Sequence, residues 1–368
     1  MDVFLAGSDS LKLTRIARRD PELALIPAGD AHKHAHSSPM DLTALRIALP
    51  QEMSTFSPTE PLGLTFFSRG TRCTARCISS RALLTNLPTN AFFEVVHADG
   101  SPWLYDGDPG LRLFVESPGL SLVRMEQLLK TLVQRGSLTP NAAFFKLLTF
   151  PMEACGSYVR DPVDPAHGPC VFELPPIAKP EEITALLFNM SGIKGLKRAR
   201  LAASYAQSGA GSPEETLLSF AFKLPASLGG IETPPFLENE PIEWPEEARD
   251  LVEHKQMRPD FNWPGYLTAS EYNGKEHVSE KNFEEDQRRI RDYQSCNISV
   301  FPASYKNVRT VHALNGYLAR VAHSLARTAG PEFEARVRAT LLDEGSTHMR
   351  NVLLSQMLPA VPSEKPGW

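Results

Sequence analysis

The sequence has few cysteines and no long apolar run, and each shortage argues against a class of protein. Its five cysteines are an odd number, scattered along 368 residues, so we do not expect a disulfide framework. The close pair Cys73 and Cys77 has no second pair of Cys or His at finger-like spacing, and we interpret both as free thiols. No run approaches the roughly 18 apolar residues of a transmembrane helix, and residues 1–19 carry polar and charged side chains throughout. We therefore expect a cytoplasmic protein with no membrane partner.

A strong excess of one charge and the common nucleotide-binding loops are also missing. The formal net charge is −5, which argues against a basic nucleic-acid coat protein, although an enzyme acting on DNA needs only a local basic face. Neither a phosphate-binding loop ending in Lys-Ser or Lys-Thr nor a dinucleotide fingerprint occurs, so nucleotide-driven chemistry has no support. We interpret the alternating His32, His34 and His36 as a surface loop without a specific metal.

What is present is an ordinary globular composition, 42% apolar and 22% charged, in a chain long enough for two domains. Short apolar runs predict strands at 62–67, 91–96 and 111–115. Helical spacing predicts helices across 122–148 with a break at Gly136, and further helices at 180–190 and 195–205. Two more amphipathic helices are expected at 308–328 and 331–358, before a frayed end.

These patterns predict an α/β (α+β) protein in four parts. Residues 1–160 are expected to form a mixed α and β accessory domain for recognition or regulation, which would also supply any contact with a protein partner. The Pro-rich residues 161–179 are the expected connector. Residues 180–330 are expected to form an α/β domain with a central mixed sheet flanked by helices, and 331–368 a C-terminal helix and tail.

Two acidic stretches in the second half carry the chemistry. Gly211-Ser212-Pro213-Glu214-Glu215-Thr216 predicts a helix start, with Ser212 as the N-cap and acids in the first turn. Residues 258–263 and 266–272 predict two strands joined by a hairpin, with Asp260 on the first strand and Glu271 near the end of the second. Cross-strand neighbours lie only about 5 Å apart, and Mg²⁺ needs few carboxylates because it keeps several waters. We therefore predict a Mg²⁺ or Mn²⁺ site at Asp260 and Glu271, with Glu215 as an outer acid.

Polar residues follow directly after this predicted site. The turn at Asn273 and Gly274 leads to Lys275 and His277, either of which could help to activate the attacking water. A helix is expected around 283–291 and a strand at 297–301, which gives the order strand, strand, helix, strand. For contacts with DNA phosphates we expect a set of basic residues on two helices: Lys194, Lys197, Arg198, Arg288 and Arg289.

Residues 194–327 resemble the PD-(D/E)XK nuclease superfamily, specifically its branch close to the very-short-patch repair endonucleases. The resemblance rests on the stretch from Glu271 to His277, on Asp286 and Arg289 three residues apart, and on Asp260 upstream. A longer stretch, carried by residues 212–216, 224–225 and 229–230, is similar to actinobacterial proteins with an abortive-infection-antitoxin-like N-terminal region. Two departures are Asn273, where the family often has Asp, and Lys275, four residues after Glu271 rather than two.

The resemblance implies a restriction-endonuclease-like fold and a metal-dependent endonuclease that hydrolyses DNA, in defence or repair. Its catalytic residues would be Glu215, Asp260, Glu271 and His277, with support from Lys275, Asp286 and Arg289. The alternatives are a catalytically inactive nuclease fold acting as a DNA-binding or antitoxin-like regulator, and a plain protein-interaction module. The oligomeric state stays open.

Overall fold

The computed structural model describes residues 2–33, 49–50, 53, 62–66, 78–82, 87–103, 112–274 and 280–359, without the side chains at 66, 78–82, 280–283 and 286. The chain divides into two compact units, Met1–Ala206 and Gln207–Trp368. Each unit combines helices with a mixed sheet, which confirms the predicted α/β class. Among the described helices, none has both the length and the apolar character required to cross a bilayer.

The first unit is built on a four-stranded sheet of order β1-β6-β5-β2, in which only β1 and β6 run parallel. A parallel pair, β3 and β4, is joined to it by a bridge between Leu5 and Leu64. The predicted strands at 62–67, 91–96 and 111–115 are β3, β5 and β6, so these predictions are confirmed. The strands are β1 (Asp2–Phe4), β2 (Leu23–Pro27), β3 (Leu62–Phe66), β4 (Ile78–Ala82), β5 (Phe92–His97) and β6 (Arg112–Glu116).

The helices whose bounds are described in the first unit are α1 (Ser8–Arg19), α2 (Pro118–Gln134), α3 (Pro140–Cys155), α4 (Pro180–Phe188) and α5 (Leu196–Ala203). Proline occupies the first position of α2, α3 and α4, where the missing N–H costs no hydrogen bond. Gly136 lies between α2 and α3 with φ 73°, a left-handed conformation that glycine adopts without strain.

The boundary between the units differs from the expected one. Helices α4 and α5 pack against α2 in the first unit, whereas the sequence assigned 180–205 to the second domain. The packing leaves no room for a side chain at Gly119, since a Cβ there would lie 2.6 Å from Cδ2 of Leu186. Residues 161–179 contain no helix or named strand, but they run within the first unit because Val171 bridges to Val159.

The second unit has a four-stranded sheet of order β10-β9-β8-β7, antiparallel except for the parallel pair β9 and β10. Its elements in chain order are α6 (Pro213–Lys223), β7 (Leu237–Glu238), β8 (Phe261–Trp263), β9 (Thr268–Asn273), α7 (Glu280–Ser295), β10 (Ser299–Ser304), α8 (Val311–Ala329), α9 (Pro331–Leu342) and α10 (Glu344–Met357). The predicted hairpin, helix and strand are confirmed as β8, β9, α7 and β10. Helix α7 provides the long connection that parallel neighbours require.

The two faces of this sheet are covered by different groups. On one face, Trp263 packs edge-on against Phe222 of α6, with ring centroids 4.9 Å apart. On the same face Ser270 lies 2.5 Å from the hydroxyl of Tyr317 in α8. On the other face Ala269 belongs to a core cluster with Tyr293 of α7. The sheet therefore lies between α6 and α8 on one side and α7 on the other.

The single helix expected at 331–358 is wrong. The structure has two helices, α9 and α10, separated at Asp343. Asp343 has an extended backbone (φ −69°, ψ 127°) and its carboxylate accepts a hydrogen bond of 2.7 Å from the N–H of Ser346. Asp is a favoured N-cap, but the amphipathic pattern continues across it, which is why apolar spacing alone did not detect the break.

Candidate functional site

Asp260 and Glu271 lie at the end of the β8–β9 ladder. Its last pair is Phe261 with Ser270; Asp260 directly precedes β8, and Glu271 is the next residue of β9. The N–H of Tyr272 donates a hydrogen bond to Oδ2 of Asp260. The charge of Glu271 is one cause of the raised pKa of Asp260. The fold thus brings together the two acids that the sequence predicted as metal ligands.

Glu215 lies in the first turn of α6, where the sequence predicted a helix start. Oγ of Ser212 accepts a hydrogen bond of 3.1 Å from the N–H of Glu215, which is the expected N-cap. The Glu215 carboxylate in turn accepts from the N–H of Gly211 at 2.7 Å and from Nδ2 of Asn239 at 2.8 Å. Its charge also raises the pKa of Asp260, so Glu215 is electrostatically part of the same acidic group.

A fourth acid, Glu238 of β7, was not predicted from the sequence. Only 3% of this residue is exposed, and Oγ of Ser219 donates a hydrogen bond to its Oε1. Its Oε2 has no hydrogen-bond partner among the residues described. Burial, with smaller contributions from the charges of Glu215 and Asp260, raises the pKa of Glu238 to about 8. Nothing in the local sequence distinguishes Glu238 from its exposed neighbour Glu240.

Burial and mutual repulsion shift the protonation of this acidic group. The pKa of Asp260 is raised well above its ordinary value of 3.8, first by burial and then by the charge of Glu215. Burial also raises the pKa of Glu215. Ionising a carboxylate that is buried near other carboxylates costs free energy. The group therefore favours a bound proton or a nearby cation.

Glu271 is held by two groups from α7. Its Oε1 accepts hydrogen bonds of 2.6 Å from the guanidinium of Arg289 and 2.6 Å from the hydroxyl of Tyr293. Arg289, predicted as a phosphate contact, is therefore an ion-pair partner of a predicted metal ligand. Tyr293 is a member of the site that sequence reasoning missed, because it lies 22 residues beyond Glu271.

Among the described residues, no hydrogen bond or ion pair joins the remaining predicted side chains to these acids. Lys275 and His277 fall outside the described residues, as does the side chain of Asp286 on α7. Arg288 lies 3.9 Å from Glu284 and 3.7 Å from Glu285 on its own helix. Three further basic residues, Lys194, Lys197 and Arg198, belong to the first unit.

Among these basic residues of the first unit, Arg198 forms contacts within its own unit. Arg198 donates a hydrogen bond of 2.8 Å to the carbonyl of Pro140, and its Cζ lies 5.3 Å from the ring centroid of Phe144. The sequence grouped this helix with the acids because it assigned both to one domain, whereas the structure assigns them to separate units.

His254 forms a second polar group that sequence reasoning missed. Its Nδ1 lies 2.6 Å from Oδ2 of Asp292, and its Nε2 lies 2.7 Å from Oε1 of Glu285. The hydrogen bond with Asp292 raises the pKa of His254, with a smaller contribution from Glu285. Asp292 also accepts from the N–H groups of Glu253 and His254, so the arrangement fixes a loop to α7.

The donors at the acidic group suit a hard divalent cation. Within the described ranges, no group of three or more His, Cys, Asp or Glu residues is already arranged to hold a metal ion. Mg²⁺, however, is commonly bound by one or two carboxylates and several waters, and Asp260 and Glu271 provide such a pair. The unpaired buried Oε2 of Glu238 and the raised pKa of Asp260 both indicate that ionising these acids costs free energy, which a bound cation would offset.

Comparisons of the chain with protein-family models, with curated proteins and with solved structures find no match.

Proposed function

We propose that the protein is a metal-dependent endonuclease that hydrolyses DNA phosphodiester bonds. The observation that carries the proposal is the proximity of Asp260 and Glu271 at the end of the β8–β9 ladder, beside Glu215 and Glu238; the pKa values of Asp260, Glu215 and Glu238 are raised. The order of hairpin, helix and parallel strand, on which the resemblance to PD-(D/E)XK nucleases rests, supports it further.

Asp260 and Glu271 would hold Mg²⁺ or Mn²⁺, which would polarise the phosphodiester and lower the pKa of a bound water. Arg289 and Tyr293 orient the carboxylate of Glu271 from α7. Glu215 fixes the start of α6 beside Asn239 and adds negative charge near Asp260. His277 as base or phosphate contact, and Lys275, Asp286 and the basic residues as support, stay predictions. We place the proposed activity in the cytoplasm, in defence or repair.

The test combines cleavage with metal binding. Single- and double-stranded DNA would be incubated with Mg²⁺ or Mn²⁺ and native protein, Asp260→Asn or Glu271→Gln, with Glu247→Gln as an exposed acid outside the site. We expect native protein and Glu247→Gln to cleave and both site variants to lose cleavage. In parallel, the metal should raise the melting temperature of native protein and of the control, but not of the site variants. Unimpaired cleavage by Asp260→Asn would refute the assignment.

One observation favours the regulator as the second candidate. Glu271 is already engaged by Arg289 and Tyr293, as expected of an acid used to hold a nuclease-like fold together rather than to bind a metal. The two candidates differ in one outcome: a regulator would bind DNA without cleaving it under any metal, and its melting temperature would not respond to Mg²⁺ or Mn²⁺.

A further inference from the structure

The second unit contains a cleft of about 810 Å³ between β10, α8 and α9. Its lining is rich in basic side chains, while Glu334 is its one acid and lies 2.9 Å from Nδ1 of His323. The basic residues of the lining are His312, Arg320, His323, Arg327 and Arg338. In a chain with a net charge of −5, this is a local concentration of positive charge.

Most of these basic residues form a stripe along α8. His312, Arg320, His323 and Arg327 recur at spacings of three, four or eight residues, which places them on one face of a helix, and all are exposed. At 1.5 Å per residue, the stripe from His312 to Arg327 is about 22 Å long. The opposite face of α8 is buried, so the stripe faces outward along the length of the cleft.

The arginines of the cleft are not neutralised by the fold. Across the described ranges, neither Arg320, Arg327 nor Arg338 forms a salt bridge. Arg327 donates a hydrogen bond of 3.3 Å to Oγ of Ser299, which leaves its charge without a carboxylate. Arginine is well suited to contact phosphate because its planar fork can donate two parallel hydrogen bonds.

At Gly316, which lines the cleft, no side chain covers the backbone of α8. Glycine inside a helix is less favourable than alanine, and the packing does not demand it here. The nearest atom to a Cβ at this position is Nη1 of Arg320, at 3.9 Å. A glycine that the protein itself does not need suits a position where a ligand approaches the helix backbone closely.

The end of the cleft at His312 lies towards the end of the sheet that carries Glu271, because the last residue of β10, Ser304, pairs with Asn273 of β9. The turn Tyr305–Val308 joins β10 to α8, and Cζ of Arg309 lies 3.7 Å from the ring centroid of Tyr305.

We propose that this cleft binds a single strand of DNA and directs it along α8 towards Asp260 and Glu271, an inference that rests on the proposed function. Its phosphates would contact Arg320, Arg327 and Arg338. The apolar walls at Phe301, Leu341 and Leu342 would take bases, since single-strand sites combine a positive groove with surfaces on which bases stack. A duplex keeps its bases paired inside and cannot use these walls.

The test measures binding apart from cleavage, in EDTA. The probe is an oligothymidylate of about 12 nucleotides, within the site sizes of single-strand binders, followed by fluorescence anisotropy over a range of salt. We expect tighter binding than to a duplex or an oligouridylate of equal length. Each of Arg320→Ala and Arg338→Ala should weaken binding. Each should also make the fall of the logarithm of the binding constant with the logarithm of the salt concentration shallower, by about 0.7 in slope. Arg249→Ala removes an exposed arginine outside the cleft and should leave the affinity and its salt dependence unchanged.

Gly316→Ala separates binding from folding, because it should raise the melting temperature and yet weaken oligothymidylate binding. The proposal is overturned if Arg320→Ala and Arg338→Ala bind like native protein, or if duplex DNA or the oligouridylate binds more tightly. Cleavage assays on the same variants distinguish the two proposals. Native protein that binds through the cleft without cutting would refute only the nuclease, whereas cutting unaffected by the cleft variants would refute only the strand path.

Discussion

Glu238 is a buried carboxylate whose surroundings favour its neutral form. Its one hydrogen bond comes from Ser219, its Oε2 is unpaired within the described part of the chain, and two other acids act on it. An ionised carboxylate in such a position costs free energy that the unfolded chain, with the residue in water, does not pay. The protonation of Glu238 is therefore linked to folding.

This linkage predicts a pH dependence of stability in metal-free buffer. The pKa of Glu238 rises from 4.5 to about 8 on folding, so between these values the folded state holds a proton that the unfolded state has lost. The free energy of unfolding must then fall as pH rises through this range, by up to about 1.4 kcal/mol per pH unit for one proton. Urea unfolding of Glu238→Gln should show a shallower fall than native protein. Glu240→Gln, an exposed neighbour, should follow the native curve; an equal slope for Glu238→Gln would contradict the prediction.

The buried pair of Arg15 and Glu153 in the first unit makes a second prediction. Two hydrogen bonds of 2.8 and 2.7 Å join them, and both side chains are at least nine-tenths buried. Glu153→Ala would leave the guanidinium buried without its partner, which typically costs about 3–5 kcal/mol. Urea unfolding should show this loss, while Glu22→Ala, an exposed acid, should change little. A loss below about 1 kcal/mol would mean that Arg15 finds another acceptor.

At the scale of elements, helix α8 is used on both faces. Leu314, Leu318 and Val321 bury one face against the unit, while the other carries the basic stripe and Gly316. An amphipathic pattern predicts only that the second face is polar. That this face borders a cleft depends on α9 folding back beside α8 at Gly330, which has φ 89°.

Gly316 gives a prediction at this scale. Gly316→Ala should stabilise the protein by about 0.5–1 kcal/mol, because alanine loses less backbone entropy in a helix interior and the space for its methyl group is open. Ala319→Gly, at an exposed position of the same helix, should destabilise by a similar amount. Thermal unfolding of both variants provides the measurement, and a destabilised Gly316→Ala would show that the glycine is needed for the fold.

At the scale of the whole molecule, the chain consists of two compact units, and each has its own sheet. The second also has its own core, with Phe222, Phe261 and Trp263 packed edge to edge on one face of its sheet. The acidic group and the basic cleft both lie within this unit. A unit with its own core is expected to fold alone.

Residues 207–368 expressed by themselves should therefore unfold cooperatively and keep the oligothymidylate affinity of the full chain. Circular dichroism during heating and anisotropy titration would measure the two properties. A fragment that is unfolded would show that its core depends on the first unit. A folded fragment without affinity would show that the first unit contributes to binding.

Local patterns were sufficient to predict most elements. The Pro-Glu-Glu start of α6, the turn between β8 and β9 and the strands β3, β5 and β6 are where the sequence placed them, because caps, turn residues and apolar periodicity act over a few residues. The same locality explains the failures. The apolar periodicity continues unchanged across the helix break at Asp343, so it could not reveal that break. The unit to which α4 and α5 belong depends on the helices against which they pack, which local patterns do not contain.

The sequence by itself determined the mixed α/β class and the hairpin at whose end Asp260 and Glu271 lie, since strand pairing across a short turn fixes which residues are neighbours. Only the tertiary structure brought Glu238 and Tyr293 near those acids and assigned Arg198 to the other unit. These residues are distant along the chain, and their proximity follows from how the buried faces of helices and sheet fit together, which no local pattern contains. The charge of the acidic group was therefore decided by packing.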